Sequence, residues 1–138
     1  MTHRLAFHFL HEYDPGLEGI TLNIELSHAQ ARTRVLAKLD TGASLCIFQR
    51  EHGEALGLDI EHGAPQRIAT ATGSFLAYGH ELMLTVPGLE LNITAYFAGL
   101  HGFPRNVLGR RGWLDQVRIA LIDYDGKLYL SHYNDTSE

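Results

Sequence analysis

The pattern that dominates this chain is a strict alternation of apolar and polar residues. Its clearest run covers residues 89–97, where Leu, Leu, Ile, Ala and Phe alternate with Glu, Asn, Thr and Tyr. The same alternation recurs over residues 21–26, 34–39 and 81–86. A period of two places one set of side chains on a core face and the other toward water, as in an antiparallel strand. The pattern predicts an all-β fold of many short strands.

Turn-forming residues separate the predicted strands. Pro87-Gly88 lies between two alternating runs, and Asp125-Gly126 has the composition of a tight hairpin turn. The expected hairpins join strands 20–27 and 33–39 through residues 28–31, and strands 119–124 and 127–131 through Asp125-Gly126. Helical signals are confined to residues 49–58 and 111–116, so we expect one or two short helices.

The composition is that of an ordinary globular domain, with 138 residues, of which 45% are hydrophobic and 20% charged. A chain of this length buries roughly two thirds of its unfolded surface, enough for one core. We therefore expect a single domain over residues 1–138, with a polar, disordered tail at about 134–138.

Charge and cysteine content limit the partners and the compartment. The net charge is −5 and the 11 basic residues are scattered along the sequence, so no positive surface for nucleic acid or an anionic membrane is apparent. Cys46 is the single cysteine, which excludes an intrachain disulfide. Residues 1–10 have no apolar core of the length expected of a signal peptide, because His3, Arg4 and His8 interrupt them, and no apolar run approaches the roughly 18 residues of a membrane helix. We expect a cytoplasmic protein that binds neither nucleic acid nor membrane.

The first candidate for chemistry is Leu39-Asp40-Thr41-Gly42-Ala43-Ser44, at the end of a predicted strand. An acid followed by a small hydroxyl residue and glycine is also the composition of a plain turn. The tripeptide alone does not decide between the two, because it arises by chance in on the order of a few per cent of chains this long.

A second motif, Asn106-Val107-Leu108-Gly109-Arg110, lies well downstream. The pairing of the two motifs resembles the retropepsin-like aspartic peptidases, whose single lobe carries Asp-Thr-Gly-Ala and later two apolar residues followed by Gly-Arg. The resemblance extends roughly from Gly19 to Tyr129. It implies a single-lobe acid-protease barrel in which the glycine of the second motif allows close backbone approach.

A predicted hairpin at residues 67–80 lies between the motifs, with Thr72-Gly73-Ser74 as its expected turn. Its position resembles that of the family's flap, which closes over bound peptide. An ordinary hairpin without this role is the alternative interpretation.

The resemblance implies both a reaction and an assembly. Two carboxylates about 3 Å apart share one proton and act as acid and base toward the water that hydrolyses a peptide bond. This chemistry needs no cofactor. The chain has one Asp-Thr-Gly, so we expect a homodimer in which Asp40 of each subunit contributes to the dyad.

The resemblance also assigns roles to single residues. Asp40 is the implied catalytic residue, and Thr72, Gly73 and Ser74 are the implied flap contacts to a peptide or protein substrate. The supporting residues around the dyad are Thr41, Gly42, Ala43, Gly109 and Arg110. In this assignment the Gly42 backbone holds the carboxylate, Thr41 hydrogen-bonds across the dimer axis, and Arg110 braces the loop.

One position departs from the retroviral pattern. Ser44 stands where retroviral members carry an acid, so Arg110 loses its usual partner, and Asp115 is the candidate substitute. We discount a metal site, because His8, His11 and Glu12 do not follow the His-Glu-x-x-His order. We also interpret Cys46 as a buried apolar residue rather than a nucleophile, since no basic residue adjoins it.

Two other functional classes stay open at this point. The first is a catalytically silent module of the same fold that binds an extended peptide by strand addition or holds two chains together. The second is a β-barrel that binds a small molecule, in which Asp40 is merely a turn residue.

Overall fold

Residues 1–135 are described by a computed structural model, and within them the chain forms ten strands and one α-helix. The helix α1 covers Arg50–Ala55, and short 3₁₀-helices cover Ile60–His62, Leu114–Gln116 and Asp123–Asp125. The strands are β1 (Phe9–Glu12), β2 (Thr21–His28), β3 (Ala31–Leu39), β4 (Ile47–Phe48), β5 (Ala64–Thr70), β6 (Gly73–Val86), β7 (Leu89–Ala98), β8 (Val107–Leu108), β9 (Val117–Ile122) and β10 (Lys127–His132).

The strands form two sheets. Seven strands lie in the order β2-β3-β8-β4-β7-β6-β5, and β2 also pairs with β6. Neighbours in this sheet are antiparallel except for β3 with β8 and β4 with β7, which are parallel. A three-stranded antiparallel sheet has the order β1-β10-β9. The first and the last of these strands along the chain therefore pair with each other.

The mainly β prediction is confirmed, and the alternation identified the core face of the long β6–β7 hairpin. Every apolar residue of the run at 89–97 is buried, whereas Glu90 and Asn92 are exposed. The facing strand contributes Leu82, Leu84 and Val86 to the same core. Burial of such side chains stabilises each by about 1.5–3 kcal/mol relative to exposure, which is why the period of two sets the register.

The hairpin predicted from strands 119–124 and 127–131 is present, but the prediction of a tight turn at Asp125-Gly126 is wrong. Strand β9 ends at Ile122, and a 3₁₀-turn at Asp123–Asp125 followed by Gly126 at φ 63° makes the connection. The N-terminal segment causes this shape, because the Tyr13 amide donates to the Gly126 carbonyl at 2.9 Å and the Tyr13 hydroxyl donates to Asp123 at 2.6 Å. These contacts to the segment after β1 could not be inferred from local turn composition.

Three further details differ from the prediction. The turn between β2 and β3 is shorter than expected, since the strands extend to His28 and Ala31. The helix predicted at 49–58 is limited to Arg50–Ala55, and Gly57 at φ 75° follows it. The helix predicted at 111–116 is a single 3₁₀-turn, Leu114–Gln116.

Strand β1 was not predicted. It is four residues long and only half-buried on alternate positions, so its own sequence carries little signal. Of the predicted tail at 134–138, residues 136–138 lie outside the described residues, and the Asp135 amide still donates to the His132 carbonyl at 3.0 Å. No helix in the described part of the chain has the length and apolar character that a membrane span requires.

Candidate active site

Asp40 directly follows β3, at the start of the loop that leads to β4. Backbone hydrogen bonds fix this position, because the Leu39 amide donates to Ile20 at 2.8 Å and the Asp40 amide donates to Leu108 at 3.0 Å. The next turn is closed by the Ala43 amide, which donates to the Asp40 carbonyl at 3.2 Å. The aspartate backbone is thus held between β2 and β8.

One oxygen of the Asp40 carboxylate is held by the loop itself. The Gly42 amide donates to Asp40 Oδ1 at 3.0 Å, while Oδ2 has no hydrogen-bond partner among residues 1–135. The Asp40 side chain is half-buried, and Thr41 and Gly42 are exposed. The carboxylate is therefore oriented by one backbone donor and still accessible to a second group from outside the chain.

The segment that follows β8 threads against this loop at Gly109. The Arg110 amide donates to the Ala43 carbonyl and the Arg111 amide to the Ser44 carbonyl, both at 2.9 Å. A Cβ on Gly109 would lie 2.2 Å from the Leu45 carbonyl oxygen and 2.7 Å from that of Ala43. Only glycine fits between these backbone atoms, because real Cβ atoms do not approach oxygen so closely.

The side chain of Arg110 is not braced by Asp115, so that expectation is wrong. The Asp115 carboxylate instead accepts a hydrogen bond from the Gly112 amide at 3.0 Å. Arg110 is exposed and has no ion pair among the described residues. It contributes to the loop through its backbone amide, and it lines a cavity with Ser44, Arg111, Leu114 and Asp115.

The hairpin between β5 and β6 has its turn one residue earlier than predicted. Ala71 and Thr72 form the turn, and Gly73 and Ser74 already belong to β6, with Gly73 opposite Thr70. The tip is tied internally, since Thr70 Oγ1 donates to the Gly73 carbonyl at 3.1 Å.

One contact within this hairpin and one outside it hold its two strands in place. Arg67 donates to Ser74 Oγ at 3.1 Å, which links the two strands near the tip. The ring of Phe75 packs against Phe103, with centroids 4.9 Å apart. This packing joins the hairpin to the loop that precedes β8.

A pair of amide side chains that had no predicted role positions the start of β8. The Gln49 backbone amide donates to Asn106 Oδ1 at 2.9 Å, and Asn106 Nδ2 donates to the side-chain oxygen Oε1 of Gln49 at 3.1 Å. Asn106 can make both bonds because its side chain carries a donor and an acceptor. The signal was in the sequence, as Asn106 opens the second motif.

Strand registers place further side chains on the same face of the sheet as Asp40. Lys38 lies opposite Val107, Val107 opposite Ile47, and Ile47 opposite Tyr96. Because paired residues point to one side and residues two apart on a strand share a face, this row flanks Asp40. No role was predicted for Lys38, although its place two residues before Asp40 in an alternating strand was a usable signal.

The Cys46 thiol does not take part in this site. Its side chain is fully buried and donates to the Arg111 carbonyl at 3.5 Å. Burial raises the pKa of the Cys46 thiol to about 11, against the opposing effect of a hydrogen bond with the Gly109 backbone. A thiol that stays protonated at neutral pH is a poor nucleophile.

A match to a known family identifies the family of this chain. A family model described as aspartyl protease matches residues 24–112, a range that contains both motifs and the β5–β6 hairpin. This chain belongs to the aspartyl protease family. The predicted relationship to retropepsin-like peptidases is confirmed.

A solved structure of this aspartyl protease fold agrees with the family match. The structure titled EIAV protease complexed with the inhibitor HBY-793 superposes with a TM-score of 0.53 at 19% sequence identity, covering 67% of this chain and 83% of that chain. At this identity the likeness concerns the fold alone. No curated protein sequence matches the chain. The three strands β1, β9 and β10 lie outside the matched residues 24–112.

We predict that Gly109→Ala destabilises this aspartyl protease by about 3 kcal/mol, because the added Cβ forces apart two backbone segments. Gly57→Ala is the matched control. Its Cβ meets nothing within 4 Å and costs only the strain of φ 75°, about 1 kcal/mol. Denaturant unfolding at one fixed protein concentration measures both values.

Hydrogen exchange adds a local measurement. We expect faster exchange at the Arg110 and Arg111 amides in Gly109→Ala than in Gly57→Ala, since their acceptors lie on the displaced loop. Equal losses of stability together with unchanged exchange would contradict the close approach as the reason for glycine.

Proposed function

We propose that the chain is an aspartic endopeptidase that works as a homodimer, with Asp40 of both subunits forming the catalytic dyad. The observation that carries the proposal is the Asp40 carboxylate itself, which one loop amide orients and which keeps one oxygen without a partner within residues 1–135. The carboxylate of a second Asp40 is the group that completes the dyad. The family match supports hydrolysis of peptide bonds in general.

The dyad would act by general acid–base catalysis. One carboxylate takes a proton from the attacking water while the protonated one donates to the carbonyl oxygen of the scissile bond. The water oxygen forms the new bond to carbon. The C–N bond of the tetrahedral intermediate then breaks as the carboxyl group that took the water proton gives a proton to the leaving nitrogen, and a hydroxyl of the intermediate returns a proton to the other carboxylate. No cofactor is required, since both proton carriers are side chains.

The need for two chains follows from the sequence. The chain contains a single Asp-Thr-Gly, so one subunit carries one such aspartate. A twofold axis that passes beside Asp40 supplies the second carboxylate with the same geometry. We propose that each subunit is one single-lobe barrel, an arrangement that the pairing of β2 with β6 favours.

The dimer contact would not use free terminal strands. Strand β1 pairs with β10 within the chain, at Phe9 opposite Leu130 and Glu12 opposite Lys127. The loop at Thr41 is exposed and is the surface we assign to the interface. An interface that holds a stable dimer should bury upward of ~1,000 Å² in total.

The supporting residues take the following roles in the proposal. The Gly42 amide orients the carboxylate, Thr41 bonds across the axis, and Ala43 and Gly109 hold the loop through backbone contacts. Arg110 contributes its amide and a free guanidinium. The hairpin tip of Thr72, Gly73 and Ser74 acts as a flap over the substrate.

A catalytically silent peptide-binding module is the second candidate. Strand β5 lies at the end of the seven-stranded sheet and is almost wholly exposed, so it presents an edge to which an extended peptide can add. This candidate predicts that a peptide binds without being cleaved, so a cleavage assay distinguishes it from the peptidase.

We predict that Asp40→Asn lowers peptide cleavage by roughly 10²–10⁴-fold, because an amide keeps the shape but cannot exchange a proton. The assay is cleavage of a peptide library, read by mass spectrometry from acidic to neutral pH. Asp125→Asn is the control, since it makes the same chemical change in an exposed turn beyond the family match. Cleavage that is equal in Asp40→Asn and wild type would assign the hydrolysis to another site or protein.

We predict that inactive subunits suppress active ones. After subunit exchange with a tenfold excess of Asp40→Asn, random pairing leaves about one tenth of wild-type chains in intact dyads, and activity should fall accordingly. Native mass spectrometry of differently tagged chains verifies the exchange. Activity that stays constant while mixed dimers form would show that one subunit suffices.

A third prediction concerns pH and residue 43. In Ala43→Ser the added hydroxyl can donate to the ionised dyad and stabilise its charged form, so that form persists to lower pH. The acid limb of kcat/KM should therefore move down by about half to one pH unit. Ala120→Ser in β9 is the control, with dimerisation checked at each pH. An acid limb that stays in place or moves upward would contradict this role for the residue after Gly42.

A further inference from the structure

The folded chain gathers unpaired positive charge around Asp40, although its net charge is −5. The expectation of scattered basic residues holds along the sequence but not around this site. Four of them lie on the two segments that pair beside the aspartate, with Lys38 on β3, Arg105 before β8, and Arg110 and Arg111 after β8. None of the four has a carboxylate partner within residues 1–135, whereas Arg32 and Arg50 elsewhere do.

Lys38 lies on the face of β3 that carries Asp40. Val35 and Ala37 point into the core, so the residues between and after them point outward. Two residues of strand separate the Cα atoms of Lys38 and Asp40 by about 7 Å.

The stem of Lys38 is packed in place. A Cβ on Gly19 would lie 2.1 Å from Lys38 Cε and 3.1 Å from Nζ, so the stem crosses the glycine at van der Waals distance. A packed stem loses little further entropy when its ammonium group binds a ligand.

Arg105 joins Lys38 on this face. Lys38 lies opposite Val107 in the parallel pairing of β3 with β8. Asn106 lies between Arg105 and Val107, and two hydrogen bonds direct its side chain to Gln49. The Lys38 amide also donates to the Asn106 carbonyl at 2.8 Å, so the pairing with β3 continues to Asn106. Alternation of side chains from Val107 and Asn106 assigns the exposed Arg105 to the side of Val107 and Lys38.

Arg110 and Arg111 form the second group of charges. They line the cavity beside the Asp40 loop with Ser44, whose place the viral pattern gives to an acid. The acid in this cavity, Asp115, is already engaged by the Gly112 amide. Two exposed arginines therefore line the cavity, and a guanidinium group carries donors that suit a carboxylate.

We propose that the cleft selects acidic peptides, with glutamate or aspartate side chains flanking the scissile bond. Lys38 and Arg105 bind the acids nearest the bond, and Arg110 and Arg111 bind acids farther along. The inference rests on the proposed peptidase function. Because a twofold dimer repeats each charge, acids on both sides of the bond are recognised.

The test compares two peptides that differ only by Glu→Gln at the positions flanking one bond. Binding is measured by fluorescence anisotropy on Asp40→Asn, which holds substrate without cleaving it. We expect the glutamate peptide to bind about tenfold more tightly, since each of two or three exposed pairs contributes modestly. The ratio should shrink between about 0.1 M and 1 M salt, as the screening length falls from roughly 10 to 3 Å.

Variants in the Asp40→Asn background assign the effect to residues. Lys38→Met keeps the packed stem and removes the charge, and Arg105→Gln removes the second charge. Each should lower the binding ratio about threefold. Arg34→Gln is the matched control, because Arg34 is exposed on the same face of β3 but four residues before Lys38. Circular dichroism verifies that each variant is folded.

Equal binding of the two peptides, including no binding of either, would overturn the inference. A ratio that Lys38→Met and Arg105→Gln leave unchanged, or that Arg34→Gln lowers as much, would overturn it as well. Cleavage by the wild type is scored separately. Tighter binding of the acidic peptide without cleavage would refute hydrolysis and support acid selection. Cleavage of both peptides with equal binding would support hydrolysis and refute acid selection.

Discussion

The backbone of Gly109 lies so close to the carbonyl oxygens of Ala43 and Leu45 that no side chain fits between them. This approach lets the amides of Arg110 and Arg111 reach the loop carbonyls, and it lets β8 accept the Asp40 amide. The orientation of the aspartate therefore depends on a segment almost seventy residues away in sequence, at about the spacing of the two motifs. A loop held by backbone bonds from both sides is a rigid support for a catalytic group.

The core behind this contact keeps the two segments aligned. Trp113 follows the Gly109 segment and is fully buried with Phe48 and Phe97, which lie on the strands next to the loop. The ion pairs of Arg50 with Glu54 and Glu61, and its hydrogen bond to the Gly99 carbonyl, hold α1 and the following 3₁₀-turn to the end of β7. Local burial and long-range backbone pairing thus act on the same few residues.

The sequence was sufficient where a signal is local and repeated. Alternation over ten residues predicted β7, and two short motifs predicted the family. The sequence was insufficient where a local structure depends on residues that are far away along the chain. Strand β1 exists because β10 pairs with it, the Asp125-Gly126 turn opens because Tyr13 bonds to it, and Asp115 turns to Gly112 instead of Arg110. The basic residues around Asp40 come from two separate segments, Lys38 on β3 and residues 105–111 around β8, and the pairing of these strands brings them together.

The pairing of β1 with β10 has a consequence for how the protein is made. Phe9 and Leu130 are neighbours in space but are separated by most of the chain. On the ribosome, β1 emerges before β10 and stays without its partner until residues 13–126 between them have been translated. During that interval an unpaired strand edge is exposed, and chaperones are the factors that protect such edges. A translation pause before β10 would prolong this stage, so synonymous codon changes there should alter the yield of folded protein without altering a single amino acid.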